Sequence, residues 1–211
     1  PKLAEGLPGV RDWFARYPFI CLEQKTSKSV GLRDGKLWET VAAQIPSYLD
    51  SDGLANYFPP RDGDSNRGSD TLTAYLLATT HEAASINPAF ALSDTVRAPM
   101  ERGLIAFVEG RIQRGFWSPR SGKGGDLDIR KLAALEALSR YGKAQGRMVS
   151  SITIAPNQWP THAVIDWLNI LKRVQDVPDG DKRMAEANQI LRSRISYQGT
   201  KMIFSTERDD Y

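Results

Sequence analysis

The one cysteine of this chain and a glutamine three residues after it are the two side chains best placed to do chemistry together. The segment reads Tyr17-Pro-Phe-Ile-Cys-Leu-Glu-Gln24, and Cys21 is the only cysteine. If Cys21 to Gln24 form the first turn of a helix, their spacing puts the thiol and the carboxamide on one face. The unpaired N–H groups at a helix start also favour a thiolate. A thiolate beside a carboxamide can displace ammonia and leave an internal thioester.

A structural role for the cysteine is the alternative that spacing alone favours. Cys21 has apolar neighbours in the sequence, and a lone cysteine in such surroundings usually packs as a small buried hydrophobic residue. In this interpretation Glu23 and Gln24 are first-turn residues that complement the helix dipole.

The segment from Tyr17 to Gln24 resembles the thioester signature of bacterial alpha-2-macroglobulins. In that family Cys-Leu-Glu-Gln stands in place of the Cys-Gly-Glu-Gln of animal macroglobulins and complement components. Later segments resemble the same domain in the same order: Ser69-Asp-Thr-Leu-Thr-Ala-Tyr-Leu-Leu77, Gly115-Phe-Trp-Ser-Pro119 and Ile154-Ala-Pro-Asn-Gln-Trp-Pro160. The resemblance therefore runs through nearly the whole chain, and the motif at Cys21 is its most specific part.

The resemblance implies a protease trap of broad specificity. A protease cuts a bait segment elsewhere in the molecule, the molecule rearranges, and the shielded thioester is exposed. A lysine amine of the protease then opens the bond, which leaves an amide to Gln24 and a free Cys21 thiol. Glu23 and Tyr17 are expected to shape the pocket. The protein would act once, as a covalent endopeptidase inhibitor without turnover or cofactor, rather than as an enzyme.

The resemblance also implies a setting and partners. The expected setting is the periplasm, where the full-length protein would be a lipoprotein of bacterial defence anchored in the inner membrane. The expected partners are target proteases, other domains of the same macroglobulin chain and a periplasmic penicillin-binding protein. Since Pro1-Lys-Leu-Ala-Glu-Gly6 is unlike a signal peptide, we expect the sequence to be a piece of a far longer protein.

One loop bears on the nucleophile that the thioester would accept. Thioester proteins that attack hydroxyl groups resemble one another in carrying a histidine on a later loop of this domain. The matching loop here is Gly115-Phe-Trp-Ser-Pro-Arg-Ser-Gly-Lys-Gly-Gly125, which contains no histidine. We therefore expect amines to be the preferred nucleophiles. His81 and His162 are the only histidines, and neither matches the family position.

Composition is that of a typical globular protein. The chain has 211 residues, 41% of them apolar and 25% charged, which suits a single domain over 1–211, or most of one. The net charge of +3 comes without a basic stripe interleaved with aromatic residues, so nucleic acid is not expected as a partner. One cysteine excludes an internal disulfide and a zinc site built on several thiolates.

Helical periodicity predicts an all-α fold. The predicted helices cover 7–16, 21–30, 37–49 with Pro46 as a break, 70–83, 97–114, 126–141, 161–174 and 181–195. A short strand is predicted at 201–205, and 50–69 is the longest irregular connection, which Leu54, Tyr57 and Phe58 are expected to pin to the body.

A weak internal repeat suggests how the helices are arranged. Three helices open after Gly- or Pro-rich loops with similar segments: Thr71-Leu-Thr-Ala-Tyr-Leu-Leu77, Lys131-Leu-Ala-Ala-Leu-Glu-Ala-Leu138 and Thr161-His-Ala-Val-Ile-Asp-Trp-Leu168. Repeated helix pairs stack into a solenoid or a closed ring. The resemblance implies the ring, an α/α toroid of helical hairpins with the thioester at one end. Because the sequence ends at Tyr211, we expect a toroid truncated at its C-terminus.

Other function classes stay open from the residues alone. A papain-like protease would need a Cys-Gly-Ser-Cys-Trp context, which is absent. A toroid enzyme acting on isoprenoids would need clustered acids, and the nearest set, Asp62, Asp64 and Asp70, reads better as turn formers. A related transferase would need zinc, for which Cys21 has no partner nearby in the sequence.

A helical-repeat binding module with a buried structural cysteine is the remaining alternative. Its core or interface anchors would be the five tryptophans, most of them expected in the core: Trp13, Trp38, Trp117, Trp159 and Trp167.

Overall fold

The computed structural model describes residues 8–18, 20–61, 67–115, 126–153 and 155–204. In this part of the chain, eight α-helices and one β-hairpin, with short 3-10 turns between them, form the regular structure. The helices are α1 (Pro8–Arg16), α2 (Leu22–Leu32), α3 (Gly35–Gln44), α4 (Asp70–Ile86), α5 (Asp94–Val108), α6 (Asp126–Arg140), α7 (Thr161–Arg173) and α8 (Gly180–Ser193), and the strands are β1 (Ile195–Gln198) and β2 (Lys201–Phe204). The predicted all-α class is confirmed. Of the helices described, none is long and apolar enough to cross a membrane.

The chain divides into two compact units, Pro1–Leu104 and Ile105–Tyr211. In the first unit α2 packs against α1, α3 and α4. Its buried side chains include Leu22 from α2, Trp38 from α3 and Leu76 from α4. The helix that begins beside Cys21 is therefore the central element of the first unit.

The boundaries of α2 differ from those predicted. Cys21 has extended dihedral angles and is the N-cap, so the helix begins one residue later than expected. The end predicted at residue 30, with Gly31 as the stop, is wrong, because the helix continues to Leu32 and ends where Arg33 adopts the left-handed conformation (φ 55°). Gly31 lies inside the helix for a packing reason: a Cβ there would meet Phe14 Cζ at 2.9 Å.

The long connection after α3 is fixed mainly by backbone hydrogen bonds. The Asp50 carboxylate accepts hydrogen bonds from the N–H of Leu54 at 3.0 Å and of Gly68 at 2.9 Å. Leu54 is fully buried, as predicted, but the Tyr57 and Phe58 side chains are 45% and 59% exposed. Although its ring is half-exposed, Tyr57 holds the connection through its backbone carbonyl, which accepts from the Leu22 N–H at 2.9 Å, and through a side-chain hydrogen bond with Ser69.

In the second unit α7 packs against α6 on one side and α8 on the other. The buried Arg194 guanidinium joins the end of α8 to the start of α7, because it donates to the Trp159 carbonyl at 2.7 Å and to Thr161 Oγ1 at 3.2 Å. The strand predicted at 201–205 is present at Lys201–Phe204, and it pairs antiparallel with β1, a strand that was not predicted and of which only Ile195 lay within the predicted helix 181–195.

Two further predictions can be compared with the structure. Three of the tryptophans are buried, namely Trp38, Trp159 and Trp167, whereas Trp13 is 56% exposed and Trp117 lies outside the described residues. The predicted helix at 97–114 ends earlier, at Val108, because Gly110 takes a positive φ of 74° and its N–H bonds to the Phe107 carbonyl.

Candidate functional site

Cys21 and Gln24 lie side by side at the start of α2. They occupy the N-cap and N3 positions and form a capping box, in which each side chain is directed at the backbone N–H of the other residue. The Cys21 N–H donates to Gln24 Oε1 at 3.3 Å. Cys21 is 7% exposed. The structure thus brings together the thiol and the carboxamide that the sequence singled out.

This hydrogen bond is directed at a chemically important atom. If the Cys21 sulfur adds to Cδ of Gln24, the negative charge develops on Oε1, which is the oxygen that faces the Cys21 N–H. A donor placed at that position stabilises the charge as an oxyanion hole does. The N–H group that caps the helix is therefore the one that would stabilise this charge if the sulfur added to Gln24.

Glu23 connects the cysteine to a second helix. Its Oε2 lies 4.0 Å from the Cys21 sulfur, at the outer limit of a thiol hydrogen bond. Its Oε1 accepts from Ser27 Oγ at 2.9 Å, and Ser27 Oγ lies 2.7 Å from the Tyr75 hydroxyl of α4. The sequence indicated Glu23, but it gave no signal for Ser27 and included Tyr75 only as part of the segment 69–77. The contact between the two hydroxyls depends on how α2 packs on α4.

Tyr57 contributes a second phenol beside the motif. Its carbonyl accepts from the Leu22 N–H at 2.9 Å. Partial burial raises the pKa of the Tyr57 hydroxyl, a hydrogen bond with Ser69 opposes the rise, and the nearby Glu23 and Cys21 add to it. The same Ser69 caps α4, where its Oγ accepts from the Leu72 N–H at 3.1 Å. Tyr57 therefore lies where the start of α4 and the start of α2 come together.

Lys25 fixes the first turn of α2 from another direction. Its Nζ donates to the Tyr48 hydroxyl at 2.9 Å and to Gln44 Oε1 at 3.3 Å. Both acceptors belong to the end of α3 and the turn after it. The helix that carries Cys21 and Gln24 is thus held by side chains from α3 as well as α4.

The rim of the site is apolar. Ile20, directly before Cys21, is 67% exposed, and Tyr57 and Phe58 are 45% and 59% exposed. We refer to Ile20, Tyr57 and Phe58 as the apolar rim. It leaves the buried Cys21 beside a hydrophobic surface.

The other candidate residues named from the sequence lie in other segments of the chain or outside the described residues. The Tyr17 ring packs on Trp13 with centroids 4.6 Å apart, and its role in the pocket stays a prediction. His81 is half-buried in α4, and His162 is exposed in α7. The loop matched to the histidine-bearing family loop falls, after Gly115, outside the described residues, as do Asp62 and Asp64.

A metal site is not evident in the part of the chain that the structure describes. No group of three or more His, Cys, Asp or Glu side chains there could hold a metal ion. Asp70, the remaining member of the acid set considered for a toroid enzyme, is buried in the first turn of α4.

Comparison with known proteins yields matches at the level of structure. No protein-family model matches the chain, and no curated protein does. The fold is similar to that of native E. coli alpha-2-macroglobulin determined by cryo-EM, with 17% identity and a TM-score of 0.62 over 87% of this chain. It is also similar to a crystal structure of E. coli alpha-2-macroglobulin spanning domain MG7 to the C-terminus, with 16% identity and a TM-score of 0.62 over 87% of this chain.

The matched region is a small part of those proteins. It covers 12% of the chain in the cryo-EM structure and 31% of the chain in the crystal structure. At 16% and 17% sequence identity, this structural similarity shows the fold alone. The chain therefore has an alpha-2-macroglobulin-like fold.

Proposed function

We propose that this chain is the thioester-bearing part of a bacterial alpha-2-macroglobulin-like protease trap. The observation that carries the proposal is the pairing of Cys21 with Gln24 at the start of α2, in a chain whose fold is similar to E. coli alpha-2-macroglobulin. In the proposed reaction the Cys21 sulfur adds to Gln24 Cδ, the C–N bond breaks, and ammonia leaves with the thiol proton.

In protease capture the acyl group of Gln24 is transferred from the Cys21 sulfur to an amine of the target. A lysine amine of the target adds to the same carbon, the C–S bond breaks, and an amide to Gln24 and a Cys21 thiol remain. Each molecule reacts once, so the product is a covalent inhibitor complex and the protein has no turnover.

Two features support the storage of such a bond. Cys21 is buried, which limits attack by water, and the apolar rim around it offers a surface for another domain of the same chain to cover. We propose that the remaining parts of the macroglobulin chain provide this cover and the bait segment.

Our proposals for the complete domain, its location and its neighbours rest on the same resemblance. We propose an α/α toroid, a periplasmic lipoprotein anchored in the inner membrane, and a penicillin-binding protein as neighbour. These proposals extend to the whole protein, of which this chain would be one part.

Intact mass tests the thioester directly. The freshly purified native protein should weigh one ammonia less than its sequence, and methylamine should add its full mass to the bonded form while releasing one alkylatable thiol. Cys21→Ala and Gln24→Ala should each show the full sequence mass and no methylamine uptake. The wild type at full sequence mass, with a freely alkylated Cys21, would overturn the proposal.

A further inference from the structure

The carboxylate of Glu23 is oriented by one oxygen and faces the cysteine with the other. Ser27 Oγ contacts Oε1 at 2.9 Å, and the Cys21 sulfur lies 4.0 Å from Oε2. Ser27 Oγ also contacts the Glu23 backbone carbonyl at 2.9 Å, so the serine bridges the main chain and the side chain of the same residue. This arrangement restricts the rotation of the carboxylate about its side-chain bonds.

The hydroxyl groups behind Glu23 have a defined direction. A hydroxyl has one proton to donate. Both Glu23 oxygens that Ser27 Oγ contacts are acceptors, so when Ser27 donates its one proton to either of them, Tyr75 donates and Ser27 accepts in the 2.7 Å contact between the two hydroxyls. The chain of donors then runs from Tyr75 through Ser27 to Glu23, whose carboxylate lies beside the thiol.

Several ionisable groups lie near this carboxylate among the described residues. Cys21 precedes it at the start of the same helix, and Tyr75 approaches from α4. Tyr57 approaches from the connection before α4 and interacts electrostatically with Glu23, with Cys21 and with the buried Asp70 of α4. Lys25, two residues along α2, is directed to Tyr48 and Gln44. Glu23 is thus the carboxylate in direct contact with the thiol.

We propose that Glu23 is the proton-transfer residue for the thioester. This rests on the proposed function. During bond formation the Cys21 S–H gives its proton to Glu23 Oε2 as sulfur adds to Gln24 Cδ. Glu23 then gives that proton to the departing nitrogen, so that ammonia leaves and the carboxylate is restored.

The same residue serves the capture step. The attacking amine must lose a proton as its C–N bond forms, and the leaving sulfur gains one as the C–S bond breaks. Glu23 accepts the first proton and supplies the second, which is general acid–base catalysis by one group in both roles. Ser27 and Tyr75 act as positioning residues, because they contact the carboxylate or its partner and not the reacting atoms.

The test compares Glu23→Gln with the wild type in two assays. In the first, the denatured unbonded chain is refolded and the ammonia deficit is followed by mass. In the second, the rate of methylamine opening is measured against pH and expressed per concentration of free amine. Glu23→Gln preserves the size and hydrogen-bonding capacity of the side chain but cannot transfer the proton. We expect both rates to fall by about 10²-fold or more.

The pH profile separates proton transfer from a merely structural role. In the wild type the corrected opening rate should fall on acidification, because a general base acts only in its basic form, and this acidic limb of the profile should be missing in Glu23→Gln. Glu23→Asp, which keeps the carboxylate, should retain the limb at a lower rate. Ser27→Ala and Tyr75→Phe should slow both assays by a smaller factor and also keep the limb.

The outcomes distinguish this inference from the proposed function. A wild type without the ammonia deficit overturns the proposed function. A wild type with the deficit, together with Glu23→Gln that forms and opens the bond at wild-type rates, overturns the role of Glu23 alone. If Glu23→Gln does not fold, Ser27→Ala and Tyr75→Phe provide the test. Wild-type rates of bond formation and of methylamine opening in both variants would overturn the proton-transfer role of Glu23.

Discussion

The hydroxyl oxygens of Ser27 and Tyr75 lie 2.7 Å apart and join α2 to α4 across 48 residues of sequence. The short motif at Cys21 is therefore only one part of the site. Helix α4 orients Glu23 through Ser27, and α3 orients the first turn of α2 through Lys25. The surroundings of the thiol therefore depend on α2, on α3, which follows it directly, and on α4, which is distant in the sequence.

The choice of nucleophile gives the first prediction. Without a histidine in the loop that matches the family position, the thioester should react directly with the strongest free nucleophile. We expect methylamine to open it much faster than glycerol at equal concentration, as measured by the release of an alkylatable Cys21 thiol. His162→Ala is the control. Comparable rates for the two reagents, lost in that variant, would mean that His162 supplies the missing base.

Cys21 itself should matter little for stability. It is buried but small, and it lies at the N-cap, whereas its neighbour Leu22 is fully buried in the core of the first unit. We expect Cys21→Ala to change the free energy of unfolding by less than about 1 kcal/mol, and Leu22→Ala to cost about 2–5 kcal/mol. Urea unfolding of the unbonded forms measures both. A loss at Cys21 as large as that at Leu22 would favour the buried structural cysteine.

Asp166 should make stability depend on pH. Burial, with a contribution from Glu136, raises the pKa of Asp166 from 3.8 to about 7, against the opposing effects of Arg140 and Arg173. Because the pKa is higher in the folded state, the stabilising contribution is complete below the unfolded pKa and is lost as the pH rises through about 7.

The matching variant is Asp166→Asn, which removes the ionisation. The wild type should lose stability relative to this variant between about pH 4 and about pH 7, by at most about 4 kcal/mol. Urea unfolding at several pH values measures the difference, with the exposed Asp12→Asn as control. An equal pH dependence of the wild type and Asp166→Asn would show that Asp166 ionises alike in both states.

The close approach at Gly68 gives a prediction for the support of the site. A Cβ at Gly68 would meet the Leu54 carbonyl oxygen at 2.3 Å, and both are backbone positions of the connection that carries Tyr57. We expect Gly68→Ala to destabilise the protein by about 1–3 kcal/mol, as overpacking does. Gly9→Ala is the control, because no atom lies within 4 Å of its Cβ and alanine favours the helix. Thermal unfolding compares the two, and equal midpoints would contradict the prediction.

Much of the fold could be predicted from local patterns. Helical periodicity depends on neighbours within a few residues, so α4, α6 and α7 were predicted to within a few residues. The end of α2 was missed because the contact between Gly31 and Phe14 is tertiary. The strand β1 was not predicted, because it is defined by its pairing with β2 and only Ile195 lay within the predicted helix 181–195.

By itself, the sequence determined which residues could react: the only thiol, a carboxamide one turn away, and the helix start that brings them together. The tertiary structure decided what surrounds them. Ser27, Tyr75 and Tyr57 lie outside the motif at Cys21. Their side chains meet Glu23 or approach Cys21 only because α2 packs on α4 and the connection before α4 bonds to Leu22. Local spacing can specify a reacting pair, but orientation and burial depend on contacts between residues that are distant in sequence.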